Sequence, residues 1–202
     1  MRSYRRPGLA FAGLLLLAPF SLCMPQVAAA QSQEQAVLDE INYVRANPRA
    51  YADELRRAEP LYGEDPDALN EAIAELQRQR PLPPLTADGR IDDAARDHAS
   101  AQASRGSVGH GASGGLGQRL RKYGVFAGMS AENISYGYED PRDVVRQLVV
   151  DSRVPGRGHR RNILSTGYSS AGVACGGHRS YGAMCVIDFA GAMPEGVARA
   201  AR

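Results

Sequence analysis

Four histidines are the residues of this sequence best suited to metal binding or to acid–base chemistry near neutral pH. They are far apart in the chain: His98, His110, His159 and His178. The candidate acidic partners are Asp151, eight residues before His159, and Glu132 in the segment SAENIS. None of these spacings forms a local metal motif such as HExxH. A site built from these residues must therefore be assembled by the fold.

His159 lies in the basic segment RVPGRGHRRNIL, among four arginines. Three interpretations are open: an anion site, a metal ligand in a positive field, or a basic turn. The arginines disfavour a bound cation unless they point away from His159, because like charges repel. We expect Arg153 and Arg157 to be solvated, and one of the two arginines after His159 to pair with an acid. The alternative is a site for a phosphate or an anionic lipid headgroup.

The remaining polar candidates have simpler interpretations. We expect His98 to be a core or half-buried residue, because it lies on the apolar face of a predicted helix. His178 is expected at a loop tip, and Asn162 is expected to bond the local backbone. Four tyrosines either line a cleft or occupy half-buried sheet positions, where aromatic side chains are common: Tyr136, Tyr138, Tyr168 and Tyr181.

No activated nucleophile is recognisable in the sequence. Ser130 and Ser135 flank Glu132, but neither lies in a nucleophile elbow such as GxSxG. No other serine falls at a predicted strand-to-helix turn beside a base. The sequence therefore favours binding over covalent catalysis.

The first thirty residues have the pattern of a secretory signal peptide. Arginines at positions 2, 5 and 6 precede an apolar run over 8–20, and three alanines end the segment at Ala30. The apolar run is too short to span a bilayer comfortably. We predict a signal peptide over 1–30, a secreted or periplasmic protein, and no transmembrane segment in the mature chain.

Cysteine usage and charge agree with export. Cleavage after Ala30 removes Cys23 and leaves Cys175 and Cys185, an isolated pair that predicts a disulfide in an oxidising compartment. The chain has 24 basic and 22 acidic residues, and cleavage removes three arginines and no acids. Because the mature chain is near neutral, nothing in its charge calls for nucleic acid as a partner.

The mature chain alternates helical and β-type patterns. Ser32 and Gln35 are spaced as a capping box before the first helix, and Asp140 caps a later helix in which positions 144, 148 and 151 share a face. The other predicted helices start near residues 49, 67, 90 and 117, and the proline-rich segment before Thr86 is expected to be extended without a regular ladder. A strand is expected over 125–138, and a closing hairpin over 167–191. We predict one domain over 31–191 and a loose tail over 192–202.

The order of these pieces resembles the CAP superfamily, which includes cysteine-rich secretory proteins, antigen 5 and pathogenesis-related proteins, and exported bacterial proteins with SCP-like domains. The segments that carry the resemblance are LDEINYVRANP, PLPPLTADGRIDDAARDHA, the loop histidine His110, AENISYG, GHRRNIL and AGVACG with YGAMCVIDFAG. They cover roughly residues 35–191 in family order. Each segment is weak by itself, and the ordered set is specific.

The resemblance implies an α+β fold, a three-layer α-β-α sandwich with a central, mainly antiparallel sheet. It also implies a cleft that collects His110, Glu132 and His159. Many members have a tryptophan followed three residues later by a second glutamate; here Leu148 and Asp151 stand at those positions. Two histidines beside carboxylates suit a divalent metal, with zinc preferred and His110 and His159 as its ligands. The alternative is that these polar residues only lock adjacent loops.

Three functions follow from these expectations. The first is a non-enzymatic ligand- or metal-binding module of the cell envelope or extracellular space, monomeric, whose ligand is a small molecule, a lipid or a peptide. The second is a metal-dependent peptide or ester hydrolase with Glu132 as general base. The third is a purely structural or interaction domain.

Overall fold

The computed structural model of the protein describes residues 31–192. The predicted signal peptide, over 1–30, and the predicted tail from residue 193 onward lie outside the described residues. Within 31–192, no helix is long and apolar enough to cross a membrane.

Seven helices form within the described part of the chain: α1 (Gln33–Ala46), α2 (Pro48–Arg57), α3 (Pro66–Arg78), α4 (Gly89–Ala103), α5 (Leu116–Lys122), α6 (Pro141–Val150) and α7 (Gly158–Ile163). The predicted caps are confirmed. The side chain of Ser32 accepts the N–H of Gln35 before α1, and that of Asp140 accepts the N–H groups of Arg142 and Asp143 at the start of α6. These side chains satisfy backbone donors that have no partner inside the helix.

Four strands form one sheet in this region: β1 (Thr86–Ala87), β2 (Met129–Tyr136), β3 (Ser170–His178) and β4 (Gly182–Gly191). Their order is β1-β3-β4-β2; β1 pairs with β3 in parallel, and the other two pairings are antiparallel. The expected mainly antiparallel sheet is confirmed. The proline-rich segment adds only the two residues of β1 to it.

Helices cover both faces of the sheet, which makes the fold the expected α-β-α sandwich. On β4, Ile187 and Phe189 pack into a core shared with α1, α2, α3, α6 and α7. Met184 and Val186 point the other way and pack against Ala95 and Ala99 of α4. This alternation is the two-residue period of a strand buried on both faces.

Helix α4 lies unusually close to β3. A Cβ added to Gly172 of β3 would lie 2.2 Å from the backbone nitrogen of Asp92, so only glycine allows this approach. The Asp92 carboxylate in turn accepts the N–H of Val173 at 2.8 Å. These contacts fix the position of α4, the helix that carries His98.

The predicted disulfide is confirmed. Cys175 and Cys185 are directly opposite each other on β3 and β4 and are bonded, with their Cα atoms 4.1 Å apart. The bond ties together the two strands of the closing hairpin.

Candidate functional site

The loop between α4 and α5 carries His110, and α4 holds that loop in place. Nε2 of His98 lies 2.9 Å from the carbonyl oxygen of Gly109, and Nδ1 lies 2.9 Å from the hydroxyl of Ser113. The hydroxyl of Tyr136 accepts the N–H of Gly109 at 3.0 Å. His98 is fully buried, as expected, and burial lowers its pKa. It therefore acts as a neutral support of the loop that carries His110.

His110 pairs with Glu132 of β2. Its Nδ1 lies 2.8 Å from Oε1 of Glu132, and Oε2 accepts a hydrogen bond from Arg119 of α5. The carboxylate is buried, whereas 61% of the His110 side chain is exposed. The pKa of His110 is lowered, first by desolvation and then by the positive charges of His159 and Arg119. Burial and the nearby positive charges therefore favour the neutral imidazole of His110, and the Glu132 carboxylate beneath it orients the ring.

Behind Glu132 lies a carboxyl group that the sequence analysis missed. Asp188 of β4 is directly opposite Glu132 and fully buried, with Oδ1 3.7 Å from the guanidinium of Arg119. As an ionised carboxylate, it would have two oxygens without a hydrogen-bond partner among the described residues. Burial and the charge of Glu132 raise the pKa of Asp188 to about 8, and burial also raises the pKa of Glu132. A protonated Asp188 can donate a hydrogen bond to Glu132, which satisfies the pair.

His159 pairs with Asp151 at the other side of the site. Asp151 ends α6 in the left-handed conformation, with φ at 57°, and its side chain is buried. Its Oδ1 lies 2.7 Å from Nδ1 of His159, and its Oδ2 accepts the backbone N–H of His159 at 2.9 Å. One carboxylate thus orients the ring and stabilises the first turn of α7. The helical phase that placed positions 144 and 148 inward is confirmed, since Val144 and Leu148 are buried.

Both histidines line one cleft of about 520 Å³. His110, Asp151 and His159 contribute to its wall, whereas Glu132 lies behind His110 and does not line it. Each imidazole uses Nδ1 toward its carboxylate, and no described residue hydrogen-bonds either Nε2. The fold therefore brings the four predicted residues together as two histidine–carboxylate pairs.

The donor set fits a divalent metal only in part. In a metal-binding histidine, one ring nitrogen usually hydrogen-bonds a group such as a carboxylate, and the other ring nitrogen binds the metal. However, within residues 31–192 no group of three or more histidine, cysteine or acidic side chains is arranged to hold an ion. Two nitrogens without a third protein ligand fit an ion whose coordination shell is completed by water.

The arginines near His159 are mostly neutralised by α3. Arg160 is buried and pairs with Glu71 and Glu75, at 2.5 and 2.9 Å. Arg157 pairs with Glu71 at 2.9 Å and donates to the carbonyl oxygen of Asp151, so the expectation that it is solvated was wrong. Arg153 is exposed, as expected. The basic segment is therefore mainly an anchor to α3.

Two further expectations were wrong. His178 is not at a loop tip: it ends β3, is buried, and its Nε2 lies 2.9 Å from the carbonyl oxygen of Ser107. Asn162 donates to the side chain of Asn133 at 2.8 Å rather than to the local backbone. Both partners are distant in sequence, so no local pattern could have indicated them.

Of the four tyrosines, three line the cleft: Tyr136, Tyr138 and Tyr181. Tyr168 instead packs against Phe189 in the core, with ring centroids 5.6 Å apart. The ring of His178 packs edge-on against Tyr136, with centroids 5.3 Å apart, and tilted against Tyr181, with centroids 5.4 Å apart.

An α-β-α sandwich with a cleft between two histidine–carboxylate pairs defines the class of this protein. The model of the family described as "CAP: Cysteine-rich secretory protein family" matches residues 38–189. The chain therefore belongs to the CAP family. No curated protein matches the sequence.

Three solved structures from bacteria are similar to the chain. An extracellular protein containing a SCP domain from Bacillus anthracis is 22% identical, with a TM-score of 0.46, over 66% of this chain and 45% of that one. An outer surface protein from Borrelia burgdorferi is 20% identical, with a TM-score of 0.48, over 67% of this chain and 98% of that one. A cysteine-rich secretory protein from Staphylococcus aureus is 15% identical, with a TM-score of 0.39, over 66% and 42%. The chain thus matches less than half the length of two of these proteins.

Proposed function

We propose that this CAP domain works outside the cytoplasm as a binding module that captures a ligand in the cleft between His110 and His159 without breaking a bond. The observation that supports it is that both imidazoles line the cleft in the same way. Each has its Nδ1 hydrogen-bonded to a carboxylate, and its Nε2 has no hydrogen bond to a described residue. The signal-like leader and the Cys175–Cys185 bond favour an exported location.

The lining of the cleft favours binding over catalysis. Among the described residues, Ser152 is the only serine that lines it, and its hydroxyl accepts the N–H of Asp65 at 3.0 Å. A serine nucleophile would need a hydrogen bond to a base instead. In the hydrolase alternative Glu132 is the general base, but Glu132 lies beneath His110 and is bonded to Arg119. A ligand in the cleft would meet the imidazole before it met this carboxylate.

A divalent ion, with zinc preferred, is proposed as an accessory to binding. Nε2 of His110 and Nε2 of His159 would hold it, with Glu132 and Asp151 orienting the two rings. When bound, zinc would supply a Lewis-acidic position for an oxygen atom of the ligand. Because only two protein nitrogens are present, we expect the ion to be held weakly and to exchange.

The test is imidazole NMR of the processed, exported protein. Titration with zinc chloride, and separately with a detergent-free extract of the native envelope, is expected to shift the Nε2 resonances of His110 and His159 and to leave those of His98 and His178 in place. His110→Gln should weaken the shift of the His159 signal, and His159→Gln that of His110, whereas Arg161→Ala, outside the cleft, should keep both shifts. If neither addition moves the His110 or His159 signals, the cleft is not a binding site.

A further inference from the structure

We propose that the ligand of this cleft is an extended acidic peptide that pairs with the free edge of β2 and places its acidic side chain on Arg153. This inference rests on the proposed binding function and names its ligand class. Three independent features support it: the backbone of β2, the aromatic rim of the cleft and the charge at its mouth.

The backbone of β2 offers a template for another strand. β2 is at the end of the sheet and pairs only with β4. The N–H of Gly137 donates to the carbonyl oxygen of Ala183 at 2.9 Å, and these two residues continue the pairing of β2 with β4. Because the direction alternates along a strand, the odd-numbered residues of β2 point their N–H and C=O groups toward β4. Those of Ile134 point away, and no described residue hydrogen-bonds them. On the same edge, the carbonyl oxygen of Tyr136 already accepts from Gln147 at 3.3 Å, so the free part of the edge is at Ile134. Because Ile134 lines the cleft, its floor carries an unpaired strand edge.

Pairing with that edge would give a peptide both affinity and register. An extended chain that adds to a sheet gains main-chain hydrogen bonds, and its alternate side chains point to opposite walls. A fatty acyl chain in the same place would bury the N–H and C=O of Ile134 without partners. Each unsatisfied backbone group costs roughly 1–3 kcal/mol when buried. The edge therefore favours a peptide over a lipid.

Most of the exposed large hydrophobic side chains of the described residues lie at the rim of the cleft. Four large hydrophobic side chains are exposed among the described residues, and three of them line this cleft: Tyr62, Val108 and Tyr181. They come from three different segments: the α2–α3 connection, the loop that carries His110, and the turn between β3 and β4. Tyrosines that can be buried at low entropic cost are typical of peptide- and protein-binding surfaces.

The mouth of the cleft carries an exposed arginine, Arg153. The acids that line it are already paired: Glu64 with Arg146 at 2.8 Å, and Asp151 with His159. Arg153 is exposed and makes no ion pair with any residue in 31–192. It adopts a φ of 62°, an uncommon conformation for a residue other than glycine and one that is concentrated at functional sites. An exposed guanidinium that pairs with no described acid selects a carboxylate.

The first experiment uses a pool of acetylated, amidated pentapeptides with aspartate at the centre and Ala, Val, Leu or Tyr at the flanking positions. A matched pool carries lysine at the centre. We expect the aspartate pool to bind at least about tenfold more tightly, a difference that corresponds to about 1.4 kcal/mol. Equal binding of the two pools, or no binding of either, overturns the proposal.

N-methylation of the best peptide tests the backbone pairing on the unaltered protein. Methyl groups on the amides that face β2 should weaken binding about tenfold or more, and methyl groups on the intervening amides should change it less than about twofold. This two-residue period is the signature of strand addition. An effect without that period, or none, would show that the peptide does not pair with β2.

The variant Arg153→Asn removes the charge and keeps a residue type that tolerates the left-handed conformation. It should abolish the preference for the aspartate pool, whereas Arg161→Asn, exposed but outside the cleft, should not. An unchanged preference in Arg153→Asn excludes this arginine as the anchor.

Imidazole NMR distinguishes failure of the peptide inference from failure of the proposed binding function. Shifts of His110 and His159 caused by sodium laurate or zinc, with no peptide bound, would overturn the peptide inference and leave the binding function intact. If peptide, laurate and zinc all leave both signals unchanged, the binding function itself fails.

Discussion

The two halves of the cleft reach the same arrangement by different routes. In one half, the Glu132 carboxylate that orients His110 is 22 residues away in sequence, and both depend on Arg119 and Asp188. In the other half, Asp151 and His159 are eight residues apart, and one carboxylate caps α7 and orients the ring. The first half is a tertiary network and the second a local motif. A substitution in the first half should therefore affect residues distant in sequence, whereas one in the second half should affect only its neighbours.

The largest effect is expected from Arg119→Met. This change leaves the Glu132 carboxylate buried without its cation, and breaking a buried ion pair from one side typically costs about 3–5 kcal/mol. The free energy of unfolding, measured with urea, checks this. Arg90→Met is the matched control: Arg90 pairs with Asp88 at the surface, and exposed pairs contribute about 0–1 kcal/mol. Equal losses in the two variants would mean that the network is not a buried unit.

The next effect is on the pH dependence of stability. The folded-state pKa of Asp188 is raised to about 8 from 3.8, so the folded state binds this proton more tightly than the unfolded state does. The resulting stability is complete below about pH 4 and is lost as the pH rises through 8, at about 1.4 kcal/mol for each pH unit between the two pKa values. Asp188→Asn keeps a hydrogen-bond donor toward Glu132 and cannot ionise.

Thermal melts between pH 4 and pH 8 measure this difference. The curve of Asp188→Asn should be flatter than that of the unaltered protein. If the melts of the Asp188 variant parallel the original curve, Asp188 does not carry the proton.

A smaller and more local effect is expected from Asp151→Ala. The substitution removes the acceptor for one backbone N–H and for the His159 ring, and the loss of such a cap costs about 1–2 kcal/mol. Asp151→Asn keeps an acceptor and tolerates the left-handed conformation, so it should lose less. NMR should report a changed His159 tautomer with the His110 signals in place. Movement of the His110 signals would contradict the local character of this half.

The smallest effect is expected from Tyr136→Phe, at about 1 kcal/mol. The lost hydroxyl accepts the N–H of Gly109 and donates to Gln102, and a modest hydrogen-bond loss has this size. Because Gly109 adjoins His110, the His110 resonances should shift and broaden, and those of His159 should not. Tyr181→Phe is the matched control, since the Tyr181 ring is exposed at the rim. Equal changes in the two variants would disprove the support of the loop by Tyr136.

The sequence predicted the local half of the site better than the tertiary half. The inward phase of Val144 and Leu148 follows from a 3.6-residue period, which also gave Asp151 an inward position. The resemblance assigned Asp151 to the cleft. Glu132 and His110 were candidates by residue type, and only the resemblance of the ordered segments to a known family placed them in one cleft. Their actual partners, Arg119 and Asp188, have no local signal, because a charged residue inside a predicted strand or helix is normally exposed.

What the sequence determined by itself is whatever depends on neighbours along the chain. Caps at Ser32 and Asp140 and the buried face of α4 follow from spacing, because hydrogen bonds and periodic burial act over a few residues. The pairing of Cys175 with Cys185 follows from their being the two cysteines of the predicted mature chain. Only the tertiary structure decided which buried charges meet. The opposition of Glu132 and Asp188 depends on strand register, and a shift of one residue would point either side chain to the other face of the sheet.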